Sequence, residues 1–141
     1  MKTTTDKKTT TITLTDRAPV KIVENDWPLV ATASDHDNQY DFQANQLWWI
    51  RVRQHNDGRT IVYAAHTAGP GGRMQGHRDK KYGELLLPDA THIPGELNDE
   101  GYSPYYAHPD IIQTIKRVGT SAGCDKLIDN CIADLPEEEL E

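Results

Sequence analysis

The stretch LWWIRVRQHNDGRTIVYAAHT, residues 47–67, decides the fold because it predicts a β-hairpin. Two runs rich in β-branched and aromatic residues flank Asp57 and Gly58. An Asp-Gly pair between strands is typical of a two-residue type I′ turn, which needs φ > 0 at both positions. With that turn, Val52 is expected to pair with Tyr63.

This pairing divides the hairpin into two faces. The apolar face is expected to form the core and holds Trp48, Ile50, Val52, Ile61, Tyr63 and Ala65. The opposite face is expected to carry Trp49 beside the arginines, together with His55 and His66. A three-residue loop would shift each partner by one residue and turn Ile61 and Tyr63 outwards. We prefer the two-residue turn because it buries more apolar surface on one side.

Strand patterns precede helix patterns along the 141-residue chain. Alternating or β-branched runs predict short strands at 11–15, 18–23, 40–44 and 84–88. Residues 26–34 fit either a strand or a helix with Asp26 as its cap, and their β-branched content favours the strand.

The C-terminal third predicts two helices. Asp110 and Gln113 have the spacing of a capping box before an apolar stripe that we expect to end at Gly119. A second amphipathic helix is expected over about 122–134. The order of elements predicts an α+β fold, in which an antiparallel sheet built round the central hairpin is packed by two C-terminal α-helices.

The two ends of the chain differ in composition from its middle. Residues 1–10 predict a disordered tail, residues 11–135 a single α+β domain and residues 136–141 an acidic tail. No run approaches the roughly 18 apolar residues of a membrane span. The first residues lack the apolar segment of a signal peptide, so we expect a soluble, cytoplasmic protein that does not enter the membrane.

Charge is distributed unevenly around a net value of −7. Residues 47–83 hold seven basic and two acidic side chains, whereas residues 84–141 hold three basic and thirteen acidic ones. The overall acidity argues against general nucleic-acid binding, while the basic middle is compatible with a local site for an anion.

The basic, aromatic side of the hairpin is the best candidate binding surface. Arginine offers a planar fork of donors to carboxylate or phosphate, and tryptophan offers a surface for stacking. The alternative is a solvated face, or one that the loop at 68–83 covers, since covering Trp49 would itself be favourable. The candidate residues are Trp49, Arg51, Arg53, His55, His66, Arg73, Arg78, Lys80 and Lys81.

No pattern predicts a metal, a cofactor or a catalytic nucleophile. The six histidines have no metal-ligand spacing, and GPGGRMQGHR (69–78) lacks the Lys-Ser/Thr ending of a phosphate loop. Cys124 and Cys131 are seven residues apart on one expected helix face, which is too far for a disulfide. We expect them to be small apolar residues and lean against an enzyme.

At WWIRVRQHNDGRTIVYAAHTA, QGHRDKKYGELL and IIQTIKRVG, the chain resembles a group of small uncharacterised bacterial proteins often associated with mobile genetic elements. The resemblance covers roughly residues 12–135 and is most specific in the hairpin. It implies no activity, cofactor or site residue.

Three hypotheses follow. The first is a non-enzymatic accessory or binding protein whose basic hairpin-plus-loop surface contacts an acidic partner. The second is a nucleic-acid-binding protein that uses the same face. The third is a small enzyme with a site between the Gly-rich loop and the hairpin, using His66 or His77. For the first hypothesis, we expect that replacing Arg51 and Arg53 with alanine leaves the fold intact and weakens the contact.

Overall fold

The computed structural model describes residues 8–34, 46–68, 80–88 and 106–136. These residues form strands β1 (Thr9–Ile12), β2 (Val20–Val23), β3 (Leu29–Ser34), β4 (Gln46–Gln54), β5 (Thr60–Ala68) and β6 (Lys80–Leu86). They also form helices α1 (Ile111–Ala122) and α2 (Asp125–Ala133), and a short 3₁₀ helix at Glu24–Asp26. The strand expected at 40–44 lies outside the described residues.

The strands form two antiparallel sheets. Strands β3, β4, β5 and β6 are adjacent in chain order in a four-stranded sheet, and β1 pairs with β2 in a separate two-stranded sheet. The predicted α+β fold, with its central hairpin and two C-terminal helices, is confirmed. Residues 29–34 form a strand, and β1 already begins at Thr9, inside the segment expected to be a tail.

The register of the β4–β5 hairpin was predicted wrongly by one residue, since Val52 pairs with Val62. The connection is a three-residue loop, in which the N–H of Gly58 donates to the carbonyl of His55 over 2.9 Å. Gly58 has φ of 95°, but Asp57 does not have a positive φ. A type I′ turn needs positive φ at both residues, so the chain instead makes a type I turn followed by a left-handed glycine.

The observed register is favourable because apolar side chains are buried on both faces of the four-stranded sheet. Ile50, Val52 and Val62 lie in a core with the two helices. Ile61 and Tyr63, expected on that same side, lie on the opposite face. There they pack against Ile12, Leu14, Ile22 and Trp27. The two-stranded sheet therefore covers the face that was expected to be polar, so the turned-out Ile61 and Tyr63 lose no burial.

The ends of α1 also differ from the prediction. The Asp110 side chain makes no capping hydrogen bond, and the helix continues through Gly119. It ends at Gly123, which has φ of 78°. The N–H of Cys124 donates to the carbonyl of Gly119 over 2.7 Å, which is the pattern of a Schellman motif. Gly119 stays inside the helix because α1 approaches its neighbours closely there: a Cβ would lie 2.7 Å from Ile128 Cγ1.

Side chains tie the sheet to the rest of the chain. The Gln54 amide donates to the Tyr106 carbonyl over 2.7 Å and accepts from the Tyr106 N–H over 2.8 Å. Arg117 of α1 makes a two-point ion pair with Glu84 of β6, which raises the pKa of Arg117. None of the helices in the described part of the chain is long and apolar enough to span a bilayer.

Both edges of the four-stranded sheet receive hydrogen bonds from other segments. At one edge the N–H of Thr32 in β3 donates to the Asp134 carboxylate over 2.8 Å. At the other edge the N–H of Thr15 donates to the carbonyl of Gly83 in β6 over 2.8 Å. The chain crosses β6 so closely here that a Cβ on Gly83 would lie 2.5 Å from the Thr13 carbonyl oxygen.

We expect Gly83→Ala to lower the free energy of unfolding by about 2 kcal/mol or more, because the added methyl must displace backbone. Urea unfolding measures the loss. Gly123→Ala is the matched control, since its new Cβ has room, 3.8 Å from Trp48 Nε1, and only the left-handed φ is strained. That control should cost about 1 kcal/mol. Equal midpoints for Gly83→Ala and the wild-type protein would contradict the close crossing.

Candidate functional site

A small cleft lies between β1 and the strands β4, β5 and β6 of the four-stranded sheet. Its volume is about 110 Å³. The residues that line it come from β1, the following residue and the three strands β4–β6: Thr10, Thr11, Ile12, Thr13, Trp49, Arg51, Tyr63, Ala64, Lys81 and Tyr82. We call this the Arg51 cleft.

Trp49 holds Arg51 in place within the Arg51 cleft. The two residues are two apart on β4 and therefore share a face of the sheet. The guanidinium carbon of Arg51 lies 4.2 Å from the centre of the Trp49 ring, and Trp49 meets Tyr63 edge-on at 5.3 Å. In the described residues Arg51 has no carboxylate partner. The guanidinium is thus oriented by a ring and left uncompensated in charge.

Arg53, the next residue along the same face, has a structural role. Its side chain is only 11% exposed. It donates to the Tyr63 hydroxyl over 2.7 Å, to the Trp27 carbonyl over 3.0 Å and to Glu24 over 3.2 Å. These bonds join β4, β5 and the 3₁₀ helix. The expectation that Arg51 and Arg53 share one role is corrected, because only Arg53 faces the carboxylate of Glu24.

His55 lies in the hairpin loop, away from the Arg51 cleft. Its Nδ1 accepts from the N–H of Asp57 over 3.2 Å, and its ring meets Trp27 edge-on. Burial disfavours the Asp57 carboxylate, but the hydrogen bonds from the Arg59 N–H and guanidinium outweigh it and lower the pKa of Asp57. The charged side chains of this loop pair with one another, so their role is to stabilise the turn.

His66 does not lie with the arginines. The one-residue register shift places it on the helix side of the sheet, where it is buried and stacks on Trp48 with ring centres 4.5 Å apart. Trp48 is on this side as expected but only half-buried. Lys80 and Lys81 are both exposed on β6. Because side chains alternate along a strand, Lys81 lies on the same face of the sheet as Arg51 and Lys80 lies on the other face. Arg73, His77 and Arg78 lie outside the described residues.

Among the described residues, one further histidine and both cysteines lie in buried positions. His108 is buried and uses both ring nitrogens, toward the Leu87 carbonyl at 2.8 Å and the Asp110 N–H at 3.0 Å. Cys124 and Cys131 are both buried, as expected of small core residues. Within the described ranges, no three His, Cys, Asp or Glu side chains are grouped so that they could hold a metal ion.

No protein-family model, curated protein or solved structure matches this chain. The resemblance to small bacterial proteins associated with mobile genetic elements therefore stays a prediction. The role of the Arg51 cleft has to be inferred from its own geometry.

Sequence reasoning missed the wall of the Arg51 cleft that β1 supplies. Thr10, Thr11 and Thr13 line it, yet two of these were assigned to a strand and one to a tail with no functional role. The alternation of Ile12 and Leu14 was a usable signal, because two apolar residues on one side of a strand predict that this side packs against another element. Both residues are buried in the structure.

We expect the two arginines to differ in their effect on stability. Arg53→Ala leaves the Tyr63 hydroxyl without its partner in a mostly buried place and leaves Glu24 with only the exposed Lys8, 3.8 Å away, so the free energy of unfolding should fall by about 2 kcal/mol or more. Arg51→Ala removes only the contact with the Trp49 ring and should cost no more than about 1 kcal/mol. Denaturant unfolding of both variants gives the comparison, and equal losses would be inconsistent with separate roles.

The Cys131 thiol should be unreactive in the folded protein. Burial, with a smaller contribution from Asp134, raises the pKa of Cys131 to about 12 from an ordinary value of 9.0. The raised pKa means that the neutral thiol stabilises the fold below about pH 9 and that this contribution is lost as the pH rises toward 12. At pH 8 a thiol reagent should label Cys131 only when urea unfolds the chain. Rapid labelling without urea would show an accessible thiolate.

Proposed function

We propose that this protein is a binding protein whose Arg51 cleft takes a carboxylate group of an acidic protein partner. The observation that carries the proposal is the contrast between Arg51 and Arg53. Both are half-buried on one face of β4, but Arg53 has a carboxylate from its own chain and Arg51 has none among the described residues. A fixed guanidinium without an internal partner is suited to an external one.

The surroundings of Arg51 favour an anionic group with a short stem. Lys81 adds a second cation, and Thr10, Thr11 and Thr13 bring hydroxyl and backbone groups to the opposite wall. In the part of the chain that is described, Lys81 has no ion pair either. Two cations and several polar groups around one small space are the elements of a carboxylate site.

The size of the Arg51 cleft supports recognition of a side chain over binding of a metabolite. Its volume of about 110 Å³ corresponds to roughly four water molecules. Sites for drug-sized ligands occupy about 300–1,000 Å³. A carboxylate with one or two methylene groups fits this space, as an aspartate or glutamate side chain provides.

Charge favours a protein partner over nucleic acid. The chain has a net charge of −7, and two of its basic-region arginines, Arg53 and Arg59, are already paired with Glu24 and Asp57. The unpaired cations of the Arg51 cleft form a small spot, whereas nucleic-acid affinity depends on neutralising many phosphates. A single acidic side chain needs only that spot.

We expect a blocked heptapeptide with glutamate at every second position to bind the protein in low salt, and Arg51→Gln to weaken this binding at least about tenfold. Isothermal titration calorimetry measures the affinity. The same peptide with glutamine in place of glutamate should not bind.

Arg117→Gln is the matched control, because it removes the same charge from an arginine paired with Glu84 on the helix side of the sheet. It should leave peptide affinity unchanged. Two results would refute the proposal. One is loss of binding in both variants alike, and the other is a single-stranded oligonucleotide that displaces the peptide with a steep dependence on salt.

A further inference from the structure

One edge of β1 is open in the described structure. Strand β1 pairs with β2 alone. The N–H of Glu24 donates to the carbonyl of Lys8 over 2.9 Å, which makes Lys8 and Glu24 a hydrogen-bonded pair of the antiparallel ladder. Such pairs alternate with non-bonded ones, so Thr10 bonds to β2 while the N–H and C=O of Thr9 and Thr11 point away from it.

The chain beyond β1 shows where this open edge faces. Thr13 and Thr15 continue the odd-numbered series, and their backbone groups meet Gly83 of β6: the N–H of Thr15 donates to its carbonyl over 2.8 Å. The open edge of β1 at Thr9 and Thr11 is therefore on the side of β6. The outer edge of β2 also has no strand partner in the described residues, but the Arg51 cleft is lined by β1 and not by β2, so the edge of β1 is the one that adjoins the cleft.

The open edge and the Arg51 cleft are the same place. Thr11 and its neighbours line the cleft, and Arg51 and Lys81 lie on its floor. A strand added to β1 would point every second side chain toward that floor, as β1 itself points Ile12 into the core. Charge complementarity then selects the added strand, since the side chains that reach the floor meet two cations with no carboxylate partner among the described residues.

We infer that the partner binds as an extended acidic segment that adds a third strand to β1 and places a glutamate or aspartate against Arg51 and Lys81. This inference rests on the proposed function and adds the mode of binding. Backbone hydrogen bonds to Thr9 and Thr11 supply affinity, and the Arg51 cleft supplies the preference for an acidic side chain, as in other cases of strand addition. The edge is short and carries polar threonines, which limits pairing between copies.

Backbone methylation of the peptide tests the mode of binding directly. In an extended strand alternate N–H groups point to opposite sides. Two versions of the alternating-glutamate heptapeptide are compared, one N-methylated at the glutamates and one at the intervening residues. Strand addition predicts that one version loses at least about tenfold in affinity while the other binds like the unmethylated peptide. Equal affinities for both, or equal losses, would overturn strand addition.

A variant of the protein gives the second readout. Thr11→Pro removes an N–H that points to the open edge and spares the ladder to β2. Peptide affinity should fall at least about tenfold, and by much less in Thr11→Ala, which loses the hydroxyl but keeps the N–H. A urea unfolding midpoint for Thr11→Pro close to that of the wild type shows that the fold is retained. If Thr11→Pro does not fold, the two methylated peptides still decide the question.

The outcomes separate the two proposals. A peptide that depends on Arg51 but ignores both methylation patterns contradicts strand addition and leaves the proposed function standing. A peptide that does not bind, or binds without Arg51, contradicts the proposed function itself. Sedimentation of the protein alone tests whether a second copy of the chain occupies the edge of β1. A dimer that Thr11→Pro dissociates and that excludes the peptide would assign the edge to that second copy and contradict strand addition by the partner.

Discussion

The loop from His55 to Arg59 sets the register of β4 against β5, and this register decides the face of the sheet on which each β5 side chain lies. Gly58 adopts φ of 95° and adds a third residue to the loop. That one residue moves every β5 side chain to the opposite face of the sheet. It brings the Tyr63 hydroxyl within 2.7 Å of Arg53 and sends His66 to stack on Trp48. Local charges support the loop, since Asp57 accepts from the N–H and the guanidinium of Arg59.

A second layer makes this register favourable. The two-stranded sheet and Trp27 lie over the face that carries Ile61 and Tyr63, so these two side chains are buried there. The residues that cover this face differ along β4. Over Arg53 they bring the carboxylate of Glu24, and over Arg51 they bring the threonines of β1. Two identical residues, two apart on one strand, acquire different roles because of what lies above each of them.

The candidate site is thus a consequence of how the layers meet. The cover is anchored at one side by the three bonds of Arg53 and at the other by the close crossing at Gly83. Between these anchors, a strand edge and two cations that have no partner in the described part of the chain share one small space. A backbone edge has no sequence preference of its own, and a lone cation has little directional affinity. Together they supply what the proposed binding of an acidic strand needs, which is both attachment and selectivity.

The sequence by itself determined most of the elements, because their signals are local; the strand expected at 84–88 instead begins at Lys80, inside the segment expected to be a loop. The Asp-Gly pair marked the hairpin, β-branched residues marked 29–34 as a strand, and apolar stripes marked both helices. Ile12 and Leu14, which alternate with polar residues in the sequence, are both buried. The alternation of side chains along β4 also placed Arg51 on the same face as Trp49, and both line the Arg51 cleft.

Only the tertiary structure decided the hairpin register, the separation of Arg51 from Arg53, and the wall that β1 adds. Each depends on a contact between distant parts of the chain. The choice between two loop lengths depends on whether the far face is covered, and residues 8–27 supply that cover. The role of an arginine depends on whether a carboxylate faces it, and Glu24 comes from 29 positions away. Local propensity contains no information about such contacts, because the same dipeptide and the same side chains fit either arrangement until the second layer packs against them.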